Sequence, residues 1–268
     1  VDGQSGAVVE KDLVFGSYNG VAITLDLYLP ADPSSAPIVV EPPLPRDVAE
    51  VGAIVVGNVE GISDPPDAED EGMRFLGDHG QHIRAQAEAT ACAIRFARAK
   101  ASDLGNDDPV VVVYGLSQWG GVAAHVALFG ASLEERWDEF AATVGGPPPQ
   151  VECAAADGST HVDALVDTAG TYDLCVPAIE GLYGRTYQQE VDSDLQQFLA
   201  SAIGANPELT VRLFHDPADP AIPITVSEDF EAVLAAAGYD VQLATFAGGH
   251  NFPPKELSLE VLMEILSR

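Results

Sequence analysis

Short apolar runs, rich in β-branched residues and stopped by Gly, Pro or Asp, recur along the chain. They lie at Ile38–Val40, Ala53–Val56, Val110–Tyr114, Val162–Val166, Val211–Phe214 and Val241–Phe246. Each is short for a helix and too uniformly apolar for a strand wet on one face, so each reads as a strand buried on both sides. Helical patterns fall among them at Gly72–Ala101, Gly120–Phe129, Leu133–Ala142, Ser227–Ala237 and Leu257–Leu266. That alternation predicts an α/β fold, with a mostly parallel sheet of about eight strands flanked by helices. Ahead of it, Val8–Phe15 and Val21–Leu29 flank Ser17-Tyr18-Asn19-Gly20, which predicts an antiparallel hairpin. With no repeat and no low-complexity linker, residues 1–268 read as a single domain. The stretch 171–207, with Tyr172, Tyr183, Tyr187 and Phe198, is expected to form a small cap inserted within it.

Charge removes whole classes of function. Lys plus Arg number 12 against 42 Asp plus Glu, a formal net charge of -30. Such a surface repels phosphate backbones and anionic headgroups, so neither nucleic acid nor membrane is expected as a partner. No apolar run approaches the ~18 residues that a membrane-spanning helix needs. The acids are spread along the chain, densest at Asp64, Asp67, Glu69, Asp70 and Glu71. They read as a solvated surface, or alternatively as adaptation to high salt, where self-repulsion is screened. Cys92 sits in an Ala-rich helical pattern as a small buried residue; Cys153 and Cys175 flank a predicted strand and could be bridged. Val1–Gly6 has neither a charged n-region nor an apolar h-region, so no signal peptide is expected in this chain; a secreted placement is favoured.

Three segments carry chemistry. Val110-Val111-Val112-Val113-Tyr114-Gly115-Leu116-Ser117-Gln118-Trp119-Gly120-Gly121 is a buried strand, a Gly-x-Ser turn and the start of a helix. A serine in so tight a turn projects its hydroxyl above the sheet, while small neighbours let helix and strand cross closely. A hundred residues on, the strand Val211–Phe214 runs into His215-Asp216-Pro217-Ala218-Asp219. The last strand then leads into Gly248-Gly249-His250. Ser117, Asp219 and His250 all follow the carboxyl ends of strands, and parallel strands gather those ends along one edge.

On these segments the chain resembles the α/β-hydrolase fold superfamily over essentially its whole length. Val21-Ala22-Ile23-Thr24-Leu25-Asp26-Leu27-Tyr28-Leu29-Pro30 looks like the second strand of its secreted and dienelactone-hydrolase-like esterases. The resemblance implies a serine hydrolase acting on a small-molecule carboxylic ester, with Ser117 as nucleophile, His250 as base and Asp219 as its acid partner. Gln118 and Leu44 would supply oxyanion N–H groups, and Trp119 would contact substrate. A serine peptidase or amidase of the same fold is the alternative, and a non-catalytic binding domain the third reading. Two departures stand out. Trp119 occupies the place of the second elbow glycine, which moves to Gly120, and Glu41-Pro42-Pro43-Leu44-Pro45 replaces the family's His-Gly stretch.

Rival residues are few. Asp216 and Asp173 are alternative acids; His215 and His125 read as packing residues, His79 and His82 as solvated surface, and His161 has no visible partner. No His, Cys or Asp set has metal-ligand spacing and no Gly-rich phosphate loop occurs, so no cofactor and no metal are expected.

Overall fold

In the computed structural model, which describes residues 7–41, 43–60, 75–144, 151–155, 158–172 and 201–267, the apolar runs pair into one nine-stranded sheet. The strands are β1 (Val8–Tyr18), β2 (Val21–Leu29), β3 (Ile38–Val40), β4 (Ile54–Glu60), β5 (Val111–Leu116), β6 (Val151–Cys153), β7 (Ala164–Thr168), β8 (Thr210–His215) and β9 (Asp240–Thr245). Their order across the sheet is β6-β1-β2-β4-β3-β5-β7-β8-β9. Helices α1 (Pro45–Glu50), α2 (Phe75–Asp103), α3 (Gln118–Phe129), α4 (Leu133–Val144), α5 (Thr225–Ala236) and α6 (Lys255–Leu266) connect or follow them.

The expected mostly parallel sheet is corrected to a mixed one. Pairing is parallel from β4 through β3, β5, β7 and β8 to β9, and antiparallel among β6, β1, β2 and β4. The ninth strand, β6, pairs Gly16 with Cys153, and Ala154 N–H bonds Phe15 O at 2.8 Å. The β1–β2 hairpin closes as expected, with Asn19 at φ 50 and Gly20 at φ 78, the left-handed pair that an Asn-Gly turn supplies.

Strand periodicity splits the core into two layers. Ile38, Val40, Ile54, Val56, Val111 and Val113 face one way and pack with residues of α2, α3 and α5. Val39, Val55, Val112 and Tyr114 face the other way, onto Val48 and Ala49 of α1 and Leu262 and Ile265 of α6. A central strand such as β3 is therefore buried at every position, which is why it reads as an unbroken apolar run. Full burial of each such side chain contributes about 1.5–3 kcal/mol, so the middle of the sheet is its most strongly determined part.

A disulfide joins Cys92 of α2 to Cys153 of β6. The suggested Cys153–Cys175 pairing is thereby corrected: β6 sits on the β1 edge, and α2 packs against both strands, bringing Cys92 to Cys153. Cys175 lies outside the described residues, as does residue range 173–200 of the expected cap. The described start of that stretch is core: Tyr172 is fully buried and stacks on Phe230, ring centroids 4.0 Å apart. Among the described residues no helix is long and apolar enough to cross a membrane.

Candidate active site

Four parallel strands end level. Leu116 pairs with Thr168, Thr168 with Phe214, and His215 with Thr245, so the loops after β5, β7, β8 and β9 leave one rim. Ser117 is the first residue beyond β5 and adopts φ 58, ψ -127, a conformation rare outside glycine. Such a residue costs on the order of 1–3 kcal/mol and persists only where its surroundings over-determine it. Here they do. Ser117 N–H bonds Thr168 O at 3.1 Å, and Ser117 O accepts from Gly120, Gly121 and Thr171 N–H at 3.0, 3.3 and 3.0 Å. The backbone is locked and the hydroxyl stands apart from those bonds.

Two glycines make the turn sterically feasible. A Cβ on Gly115 would stand 2.5 Å from Gly120 Cα, and one on Gly120 would run into the Asp167 carboxyl and Gly170 Cα. Trp119, between Ser117 and Gly120, is 39% exposed. The shift of the small residue from position 119 to position 120 is therefore compatible with a tight elbow, because the close approach is made at Gly120.

The turn after β8 and the histidine-bearing loop after β9 are joined directly. His250 Nδ1 lies 2.8 Å from Asp219 Oδ2. An ionised carboxylate only accepts, so Nδ1 carries the proton and Nε2 is the basic nitrogen. Asp219 Oδ1 accepts from Ala221 N–H at 2.7 Å and Ile222 N–H at 3.1 Å. Burial alone would push the Asp219 carboxyl up, but the His250 bond and these two N–H groups outweigh it and hold the carboxyl below its usual range. The His250 side chain is 26% exposed, whereas that of Asp219 is fully buried. Among the described residues no hydrogen bond joins the Ser117 hydroxyl to His250; such bonds commonly tighten only once substrate binds.

The rival residues are otherwise engaged. Asp216 turns its carboxylate to backbone, with Oδ1 accepting from Ala218 N–H at 2.8 Å and Oδ2 from Gly248 and Gly249 N–H at 2.7 and 2.6 Å. Those N–H groups hold its pKa below the usual carboxylate range. His215 is buried, its Nε2 donating to Ile222 O at 2.9 Å and its Nδ1 meeting Ser227 Oγ at 2.7 Å. His125 is buried in α3, and desolvation pushes its pKa down to about 3. His161 does have a neighbour, Asp163 at 3.4 Å. Asp173 and the side chains of His79 and His82 lie outside the described residues.

The two oxyanion candidates differ in support. Gln118 opens α3, where the first N–H groups of a helix have no intrahelical acceptor. Leu44 is the N-cap of α1, with Pro45 in the first turn, and lines a cleft of about 230 Å³ with Tyr28, Pro43, Pro45 and Arg46. Two carboxyls went unmarked in the sequence. Asp167 is fully buried beneath the elbow, and desolvation pushes it up to about 7 against the opposing pull of the Tyr172 hydroxyl. Glu41, the first residue after β3, stands at φ 55, accepts Val59 N–H at 2.9 Å, and is pushed up by burial. Only its place after an apolar run could have hinted at Glu41. Among the described residues no group of His, Cys, Asp and Glu is arranged to hold a metal.

No protein-family model matches the chain, and no curated protein matches it. Solved structures do. Esterase 2 of Thermogutta terrifontis, phosphoramylated by tabun, superposes with a TM-score of 0.60 at 19% identity, covering 98% of this chain and 94% of that one. The same esterase has been solved with butyrate bound. A truncated carbohydrate esterase from gut microbiota gives 0.61 at 15% identity, over 99% of both chains. A bifunctional GH43-CE protein of Bacteroides eggerthii gives 0.61 at 16% identity; 97% of this chain is covered, but it spans only 38% of that protein. At these identities the likeness establishes a shared fold.

Proposed function

We propose that this chain is a serine hydrolase of α/β-hydrolase fold that cleaves carboxylic esters through an acyl-enzyme intermediate. The observation that carries the reading is the Asp219–His250 hydrogen bond, on the same rim of strand ends as the strained Ser117. The fold is shared with several esterases, which favours an ester over an amide. The butyrate-bound structure points to a short acyl group. A surface of net charge -30 favours neutral esters over polyanions.

In this mechanism His250 Nε2 takes the Ser117 proton as Oγ attacks the acyl carbon. Asp219 keeps the imidazole in the Nδ1–H tautomer and offsets the charge of the imidazolium. The N–H of Gln118, with Leu44 as the second donor, receives the oxyanion; loss of one such donor costs about 2.7–4 kcal/mol of barrier. As the tetrahedral species collapses, the bond to the alcohol oxygen breaks and His250 returns the proton to it. Water, deprotonated by His250, then releases the acid and restores the serine. Trp119 borders the acyl or alcohol side. The Cys92–Cys153 bridge supports an oxidising compartment such as a secreted location.

A panel of p-nitrophenyl esters of rising chain length, run beside proline-containing peptide amides, tests the reading. Turnover of the short esters, lost in Ser117→Ala, is expected. Turnover confined to the amides would move the assignment to a peptidase, and no turnover of either would contradict it.

A further inference from the structure

The turn after β8 carries two carboxylates three residues apart, and both reach the same loop. Asp219 binds the ring of His250. Asp216 binds the backbone that carries that ring, its Oδ2 accepting from the two N–H groups immediately before it, those of Gly248 and Gly249. Asp216 is only 7% exposed, and its remaining oxygen closes its own turn onto Ala218 N–H. Neither residue before the histidine can carry a stiffening side chain: Gly249 sits at φ 67, and a Cβ on Gly248 would stand 2.7 Å from the Phe246 ring, so the loop's backbone needs restraint from elsewhere. Left to themselves, such residues would spread the imidazole over many positions. Bonds from N–H groups to an ionised acceptor are short and roughly twice as strong as neutral ones, and two converge here on one oxygen.

We propose that Asp216 is a positioning residue: it fixes the backbone of the histidine loop and so sets where His250 stands, while Asp219 sets the tautomer and tilt of the ring. The division of labour explains why one short turn holds two carboxylates. Asp216 touches neither substrate nor reacting atoms; it acts through the loop. This inference rests on the hydrolase reading of the site for its catalytic consequence, but the clamp itself is a property of the resting protein.

Asp216→Ala and Asp216→Asn test it, beside Asp219→Asn. The first readout is the low-field proton resonance of the His250 Nδ1–H bond to Asp219, assigned by its absence in His250→Gln. The second is kcat and KM on a short p-nitrophenyl ester. In folded Asp216→Ala the resonance should broaden or vanish and kcat fall on the order of 10²-fold, as misplacement by about 1 Å does, with KM little changed. Asp216→Asn keeps one acceptor oxygen for the loop and should fall between. Should Asp216→Ala not fold, the asparagine variant alone decides. An unperturbed resonance with wild-type kcat in the folded variant would overturn the proposal, as would a loss of kcat with the resonance intact. If the unmodified protein turns over no ester, the hydrolase reading fails, while the resonance in Asp216→Ala still decides for or against the clamp.

Discussion

Gly120 of α3 lies directly against the carboxyl of Asp167 on β7, so the helix that follows Ser117 approaches the sheet as closely as a missing side chain allows. The elbow is held from below by that contact and from the side by the Thr168 and Thr171 backbone. Gly120→Ala should therefore cost about 1–3 kcal/mol in denaturant unfolding, with a matching loss of ester turnover. Trp119→Ala should leave the unfolding midpoint nearly unchanged. The reverse ranking would show that the elbow is built differently.

The buried Asp167 carboxyl gives a pH signature with a definite sign. Its pKa is raised from 3.8 to about 7 by desolvation, so between those values the folded state holds a proton that the unfolded chain has released. Its contribution is fully present below about pH 3.8 and is lost as pH rises toward 7, beyond which the loss is constant. Asp167→Asn removes this dependence. The stability of the variant relative to wild type should improve steadily from pH 4.5 to pH 7 and then level off. A difference independent of pH would mean that the group is not held protonated.

Asp219→Asn presents a donor where the His250 Nδ1–H needs an acceptor, so the ring is driven toward the other tautomer. Ester kcat should fall on the order of 10⁴-fold while thermal stability changes little. Asp216→Asn keeps the tautomer and should fall much less. If Asp216 is instead the more damaging site, the acid assignment is reversed.

Thiol chemistry checks the edge of the sheet. With Cys92 and Cys153 joined, one of the three cysteines should titrate as a free thiol in the unfolded, unreduced protein, and Cys175→Ser should abolish it. Replacing Cys92 and Cys153 together by serine should lower stability by about 2–4 kcal/mol. A Cys153–Cys175 cross-linked peptide in a non-reducing digest would contradict the described pairing.

What the sequence revealed of this fold follows burial. β3, β5 and β7 are buried at almost every position and read as continuous apolar runs; the hairpin is announced by Asn19-Gly20, and Ser117 by its glycines. The features that escaped depend on partners distant in the chain. β6 is three residues whose only reason to be extended is the edge of β1. The proline run before α1 reads as loop, although Pro45 in the first turn is a favourable helix start. Cys92 gives no hint of Cys153, 61 residues away. Asp216 and Asp219 are chemically alike in one turn, and only the geometry of the histidine loop separates clamp from ring partner.

The central claim is that Ser117 is a nucleophile activated by the His250–Asp219 pair. Exposure of the native protein to a small fluorophosphonate, followed by mapping of the modified peptide, tests it most directly. One adduct is expected, on Ser117, formed rapidly in the wild type, slowly in His250→Gln and not at all in Ser117→Ala. A folded wild-type protein that takes up no label, or takes it up on another residue, would contradict the account.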